Sequence, residues 1–355
     1  MLTTGFFKHS KRRGEMIMHV FVIGGTRFMG PAIIRRFVDL GHKVTVFHRG
    51  ETEAELPPEV TRMLGDRNNL PAYRDKIQEI NPDAVLDMMC LTELQAKELV
   101  ETLDGIVNRV IVASSQDVYR AFGRVNRTET GEAEPVPIDE NGELRHNLYP
   151  QRAFAETEER RMYDKILVER TVMDHPCIDG TILRLPAVYG PNDHQHRWYS
   201  FLKPMSEQRP YILLAKSLAG WRWTRGYVEN MAEAIVQSIL KSEAAGKIYN
   251  VGEKDAWTTK EWIEKLAPLM NWSGDVIVLP DDQLPEGYSW GINTEQHVIF
   301  TSDKIRRELG YKETVSFEEG LKRTIAWELQ HPPEKLTLDY DAEDEIMKWN
   351  AKTQR

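Results

Sequence analysis

A doubly wound α/β fold built on a parallel sheet is predicted by three features of this 355-residue chain. Short β-branched runs alternate with helix-period segments, most of those runs are apolar throughout, and a glycine-rich loop joins the first run to the first helix. Strands are expected at 20–23, 43–47, 84–88, 109–113, 181–185 and 248–251. Their unbroken hydrophobicity suits strands covered by helices on both faces. Between the first two, residues 31–40 place Ile33, Ile34, Phe37 and Leu40 on one helical face, and Gly41 ends the helix. Helices follow at 93–103 and, as one continuous element, at about 155–173. After Tyr189 the alternation breaks: residues 190–224 are rich in Trp, Tyr, His and Pro. Helix returns at 227–240, strand at 247–251, and helix at 259–270, 302–309 and 317–329. The pattern implies a larger domain of 16–188 with 225–252, and a smaller, discontinuous C-terminal domain of 189–224 with 253–330.

Composition narrows the class. Hydrophobic residues at 41% and charged residues at 28% give a globular balance. Lys and Arg number 46 against 55 Asp and Glu, and the resulting charge of −9 speaks against a dedicated nucleic-acid binder. No apolar run reaches the roughly 18–20 residues that span a bilayer, so no membrane association is expected. Two cysteines, Cys90 and Cys177, cannot build a disulfide framework, and a reducing, cytoplasmic setting is expected. The first fifteen residues are basic and lack a signal peptide's apolar stretch. Met16 or Met18 is read as the natural start, with 1–15 a disordered leader. Residues 331–355 read as an acidic tail, loosely packed or solvated. His175, His194 and His196 lack helical metal-ligand spacing and have no carboxylate among them, so no metal site is expected.

The loop Gly24, Gly25, Thr26, Arg27, Phe28, Met29, Gly30 lies between the first strand and the first helix. Glycines there permit a tight turn and let helix-N-terminal amides reach a pyrophosphate, which makes the loop a dinucleotide cradle of Rossmann type. Arg27 stands at the middle glycine of a GxxGxxG spacing. At the end of the second strand, His48 and Arg49 replace the carboxylate that would bind ribose hydroxyls. An arginine there suits a 2′-phosphate, so NADP is favoured over NAD. Asp66 is placed to touch the adenine edge.

A strand running into a polar loop, VIVASSQDVY at 110–119, lies at the carboxyl end of the sheet, where such folds bind ligands. With GGTRFMG, ILRLPAVYGPND at 182–193, TRGYVENMAEAI at 224–235, YNVGE at 249–253 and TSDKIRRELGY at 301–311, it resembles the extended or atypical short-chain dehydrogenase/reductase superfamily, the NAD-dependent epimerase/dehydratase group. The resemblance covers about residues 18–329 and implies an enzyme using hydride transfer on a nucleotide-sugar-like substrate. It places the family's serine at Ser115 and its lysine at Lys165, with Glu169 four residues on, and makes Pro186 a cofactor contact. The phenol partner, general acid/base beside the nicotinamide, should stand four residues before the lysine, but that residue is Arg161. Tyr163 is two residues from Lys165, which on a continuous helix points it about 200° away. Lys165 is then expected to hold the cofactor ribose, with Tyr119 or Tyr149 as substitute loop phenols.

Basic and aromatic residues between 194 and 226, among them Arg197, Trp223 and Arg225, suggest a pocket for a polar or anionic ligand. The resemblance gives Arg225 the phosphates of a nucleotide sugar. It also implies a homodimer joined through the helices near 93–103 and 155–173, with Met162, Tyr163, Ile166 and Leu167 available for burial. The competing reading is a non-catalytic, dinucleotide-sensing or RNA-associated protein with a degenerate site, since GGTRF-type loops also occur in RNA-associated members of the superfamily.

Overall fold

A computed structural model describes residues 16–353 apart from Glu286 and Thr337; the expected leader at 1–15 lies outside the described residues. The chain runs β1 (His19–Ile23), α1 (Met29–Asp39), β2 (Lys43–His48), β3 (Thr61–Leu64), α2 (Arg74–Ile80), β4 (Ala84–Asp87), α3 (Glu93–Leu103), β5 (Arg109–Ser115), α4 (Arg120–Val125), α5 (Glu158–Arg161), α6 (Lys165–Met173), β6 (Asp179–Leu185) and β7 (Ala187–Tyr189). It continues through α7 (Tyr199–Ser206), β8 (Tyr211–Ala215), α8 (Lys216–Ala219), β9 (Arg225–Tyr227), α9 (Val228–Leu240), β10 (Lys247–Asn250), α10 (Thr259–Leu269), β11 (Asp275–Leu279), α11 (Asp303–Leu309), α12 (Phe317–Gln330) and α13 (Tyr340–Thr353).

Seven strands form a wholly parallel sheet in the order β10-β6-β5-β4-β1-β2-β3. The winding reverses between β1 and β4, which opens a crevice at their carboxyl ends. Alternate residues of β1 serve opposite faces. Val20 and Val22 pack with Ile33, Ile34 and Phe37 of α1. Phe21 and Ile23 pack with Leu99 and Leu103 of α3. Two small parallel sheets, β8–β11 and β7–β9, lie beyond.

One buried ion pair ties the layers at the site. Glu169 of α6 accepts from Arg184 of β6 at 2.7 Å and from the Ser114 hydroxyl of β5 at 2.5 Å. Arg184 also donates to the Tyr119 hydroxyl at 2.8 Å, and that hydroxyl donates to Asn250 of β10 at 2.7 Å. The network joins three neighbouring strands to the helix that carries Lys165.

Two expectations are corrected here. The continuous helix at 155–173 is broken into α5 and α6. Asp164 interrupts it by capping α6: one carboxylate oxygen accepts from Ile166 N at 2.9 Å and the other from Tyr149 N at 2.6 Å. An aspartate gains more from such caps than from a helix interior. The acidic tail is not simply solvated. Its residues 340–353 form α13, where Asp344 accepts from Tyr211 at 2.5 Å and pairs with Arg209, and Glu343 accepts from Tyr288 at 2.6 Å.

Removing one partner of a buried pair leaves the other charge uncompensated, at a cost of about 3–5 kcal/mol. Glu169→Ala is therefore expected to lower unfolding free energy by about that amount in urea titrations. A loss below about 1 kcal/mol, within the range of exposed pairs, would show that the network is not structural.

Candidate active site

The dinucleotide crevice is built by the loop between β1 and α1. Gly24 and Gly25 hold φ of +90° and +88°, backbone that L side chains rarely adopt. A Cβ on Gly30 would lie 2.3 Å from the Gly25 backbone, so only glycine lets α1 start this close to the turn. Phe28, at φ +46°, precedes α1 without a side-chain cap, and although Gly30 N donates to the Arg27 carbonyl at 2.9 Å, no side chain covers the positive end of the helix where a pyrophosphate would sit. These features fit a nicotinamide dinucleotide. Arg27 is exposed and donates to Thr52 at 2.9 Å. Arg49 is exposed and paired with Glu51 at 2.8 Å, while His48 is buried, its Nδ1 accepting from Gly50 N and its Nε2 without a partner among the described residues. Burial and the nearby Arg62 push the His48 pKa down. Asp66 caps its own turn, accepting from Asn68 N at 2.9 Å, and Pro186 lies half-buried just after β6.

The helix break redirects Tyr163. Because it precedes α6 instead of riding on it, its side chain turns to the end of β5, where its hydroxyl donates to Asp117 at 2.6 Å. The Ser115 hydroxyl acts on the same phenol and accepts from Asp117 N at 3.1 Å. The expectation that Tyr163 points away from the site is thus overturned; it assumed a helix that Asp164 ends. Lys165 is buried and donates to the carbonyls of Cys90 and Ala113, at 2.7 and 2.8 Å, so two of its three N–H bonds serve the ends of β4 and β5. Tyr119 is no loop phenol: it is fully buried, spent on Arg184 and Asn250, and stacked on Phe300 at 4.8 Å. Tyr149 is half-buried at φ +57° under the Arg152 guanidinium, with 3.8 Å to its ring centroid.

Electrostatics at this cluster differ from a phenol–ammonium pair. Burial, then the Asp117 carboxylate, raises the Tyr163 pKa well above its usual value, so the phenol stays protonated. Burial also raises Asp117, against the pull of Arg145 and the Tyr163 bond. Arg145 is buried, donating to the Asp117 carbonyl at 2.6 Å and the Asn147 carbonyl at 2.7 Å. Asp117 lay within VIVASSQDVY, two residues past Ser115, and that offset was the available signal for it. Arg145 comes from a remote loop with no motif of its own.

A second cluster gathers around Arg225 of β9. Arg225 is buried between Trp198 and Trp223, with 4.8 and 4.5 Å from its guanidinium to their centroids. Burial, with Arg197 adding repulsion, takes its pKa down to about 9. Its Nε and the indole N–H groups of both tryptophans are buried and have no partner among the described residues. Arg197 is held by both carboxylate oxygens of Asp193, each at 2.7 Å. Buried donors lacking acceptors fit an anionic ligand.

Comparison with known proteins finds related chains. A 2′-dehydrokanamycin reductase of Streptomyces kanamyceticus is 26% identical, over 71% of this chain and 66% of its own length. The chloroplast stem-loop binding protein of 41 kDa b of Arabidopsis thaliana is 20% identical over 92% of this chain and 84% of its own. A UDP-N-acetyl-α-D-glucosaminuronate decarboxylase of Bacillus cytotoxicus is 23% identical over 86% and 96%. The fold also matches a UDP-glucose 4-epimerase of Thermotoga maritima solved with UDP-glucose, with a TM-score of 0.64 and 18% identity over 88% of this chain and 99% of that one. Residues 20–252 fit the family profile, and the chain belongs to the NAD-dependent epimerase/dehydratase family.

Proposed function

We propose that this protein is an NAD(P)-dependent epimerase, dehydratase or reductase of a nucleotide-sugar-like substrate, with Tyr163 as its proton-transferring phenol. One observation carries the reading: Ser115, Asp117 and Tyr163 converge at the carboxyl end of β5 although the family's tyrosine position holds Arg161. A bound dinucleotide would accept or return hydride. Lys165 offers its remaining N–H to the cofactor ribose. Tyr163 donates its proton to a substrate carbonyl as that carbonyl is reduced and takes one from protonated Asp117 in exchange; in the oxidative direction it takes the hydroxyl proton while passing its own to the Asp117 carboxylate. Ser115 orients the reacting oxygen, Arg145 holds Asp117, and Arg225 with Arg197 and Trp223 receives the substrate's anionic part.

For the cofactor, NADP is preferred over NAD: no carboxylate ends β2, and Arg27 and Arg49 flank that edge. The proposal includes a homodimer through α3 and its surroundings, where Leu94 and Met162 are exposed apolar residues. Tyr163 and Ile166 are not part of that interface, because Tyr163 faces Asp117 and Ile166 is fully buried inside the protomer. A cytoplasmic setting is retained on the cysteine usage. The RNA-associated reading draws on the stem-loop binding relative's coverage, and salt-dependent RNA binding without turnover would favour it.

Three measurements test these assignments. Losing a positioned acid/base costs about 10²–10⁴-fold in rate, so Tyr163→Phe should lower turnover by that order while leaving cofactor affinity and stability near wild type. Unchanged turnover would remove Tyr163 from the chemistry. Calorimetry should show NADP(H) binding more tightly than NAD(H), with Arg49→Ala narrowing the gap; equal wild-type affinities would refute the preference. Light scattering at micromolar concentration should give twice the protomer mass, and a monomer would end the dimer proposal.

A further inference from the structure

Glu253, in the loop after β10, is fastened to the short strand that carries Arg225. Its backbone N donates to the Arg225 carbonyl at 2.8 Å. Its carboxylate Oε1 accepts from Tyr227 N at 3.2 Å and from the Tyr189 hydroxyl at 2.8 Å. The Tyr189 ring packs edge to face on Trp198, with 6.1 Å between centroids, and Trp198 covers the Arg225 guanidinium. Glu253 is only 8% exposed, and its Oε2 is buried with no partner among the described residues. The Arg225 Nε is in the same condition.

Two carboxylates act on the charge of Arg225, Asp193 and Glu253. Asp193 acts more strongly, but it already gives both oxygens to Arg197, at 2.7 Å each. Glu253 has no such cation of its own among the described residues. The other titratable groups that face it are Tyr189 of β7, Tyr227 of β9, and Glu313 and Tyr311 beyond α11. Arg306 of α11 reaches the neighbouring Gly252 carbonyl at 3.0 Å, and its charge is met by Glu313 at 2.9 Å.

A buried carboxylate beside a buried guanidinium serves as its counter-ion only while the site is empty. An anion arriving at Arg225 takes over that role and sets a second negative charge in the same water-poor space, which favours the neutral acid at Glu253. We infer that Glu253 is a positioning residue of the Arg225 site, taking a proton from solvent as an anion binds there and returning it as the anion leaves. The inference rests on the reading of Arg225 as the substrate's anion site. Burial pushes the Glu253 pKa up to about 7, against the bonds from Tyr189 and Tyr227, so the exchange falls in the neutral range. The protonated form is the one that favours the anion. Binding is therefore tightest below that value and weakens as pH rises through it.

The test is calorimetric titration of the full chain, with NADP+ or NAD+ in excess, by sulfate, an anion that stays ionised throughout the neutral range. Arg225→Met identifies the binding that belongs to this site. The Arg225-dependent affinity should fall about 5- to 10-fold between roughly pH 6 and pH 8. Titration near pH 7.5 in buffers of different ionisation enthalpy should show about half a proton or more taken up per sulfate. Glu253→Gln, which keeps an acceptor for Tyr189 and Tyr227, should flatten the profile and abolish the uptake. Tyr189→Phe removes a bond that favours the carboxylate and should move the fall to higher pH. That variant keeps the test open if the first does not fold, since an unmoved profile would overturn the inference. A flat wild-type profile, or a fall and an uptake that persist in Glu253→Gln, overturns the role of Glu253 and leaves the anion site standing. Sulfate binding that is absent, or unchanged in Arg225→Met, overturns the anion site, and the role of Glu253 falls with it.

Discussion

The buried pair between Glu169 and Arg184 sets the geometry of everything at the carboxyl edge of β5. Glu169 stands one turn after Lys165 on α6, so fixing its carboxylate against β6 fixes the rotation of the helix and the direction of Lys165. The same carboxylate holds Ser114 inward at 2.5 Å. Neighbouring residues of a strand face opposite ways, so an inward Ser114 leaves Ser115 on the side of Tyr163. Two charges taken from water are tolerable only when their hydrogen bonds are met, and here Ser114, Tyr119 and the Glu140 carbonyl complete the set.

Moving the tyrosine two residues toward the lysine changes more than its position. A phenol beside an ammonium has its pKa drawn down and works as a base. A phenol bonded to a carboxylate has it pushed up, and the direction at Tyr163 is upward. Lys165, with two N–H groups spent on strand-end carbonyls, is a structural clip as well as a cation. The fixed positive charge that steadies the Asp117 carboxylate comes first from Arg145. The phenol thus has a carboxylate for its charged partner in place of an ammonium, and Ser115 stands beside it.

The sheet was legible in the sequence because its signals are local: apolar runs at strand length, a helix-period stripe at Ile33, Ile34 and Phe37, and a glycine loop between them. The placement of Tyr163 was not, since it turns on whether Asp164 sits inside a helix or caps one. That choice is settled by two backbone amides, one of them from Tyr149, fifteen residues away. Tyr119 misled for a related reason. It follows a polar loop motif, but its ring is taken into the core by Phe300 and its hydroxyl by Arg184, both distant in sequence. The docking of α13 likewise depends on Arg209, Tyr211 and Tyr288, partners that an acidic composition cannot reveal.

Burying a charge without a partner is costly. Arg225 is stripped of water between two indole rings, and burial with Arg197 beside it takes its pKa down to about 9. Its Nε and the indole N–H groups of Trp198 and Trp223 have no partner among the described residues. A ligand bringing an anion there would relieve that penalty, whereas a cation would deepen it, so the cluster selects the sign of its ligand before any ligand arrives.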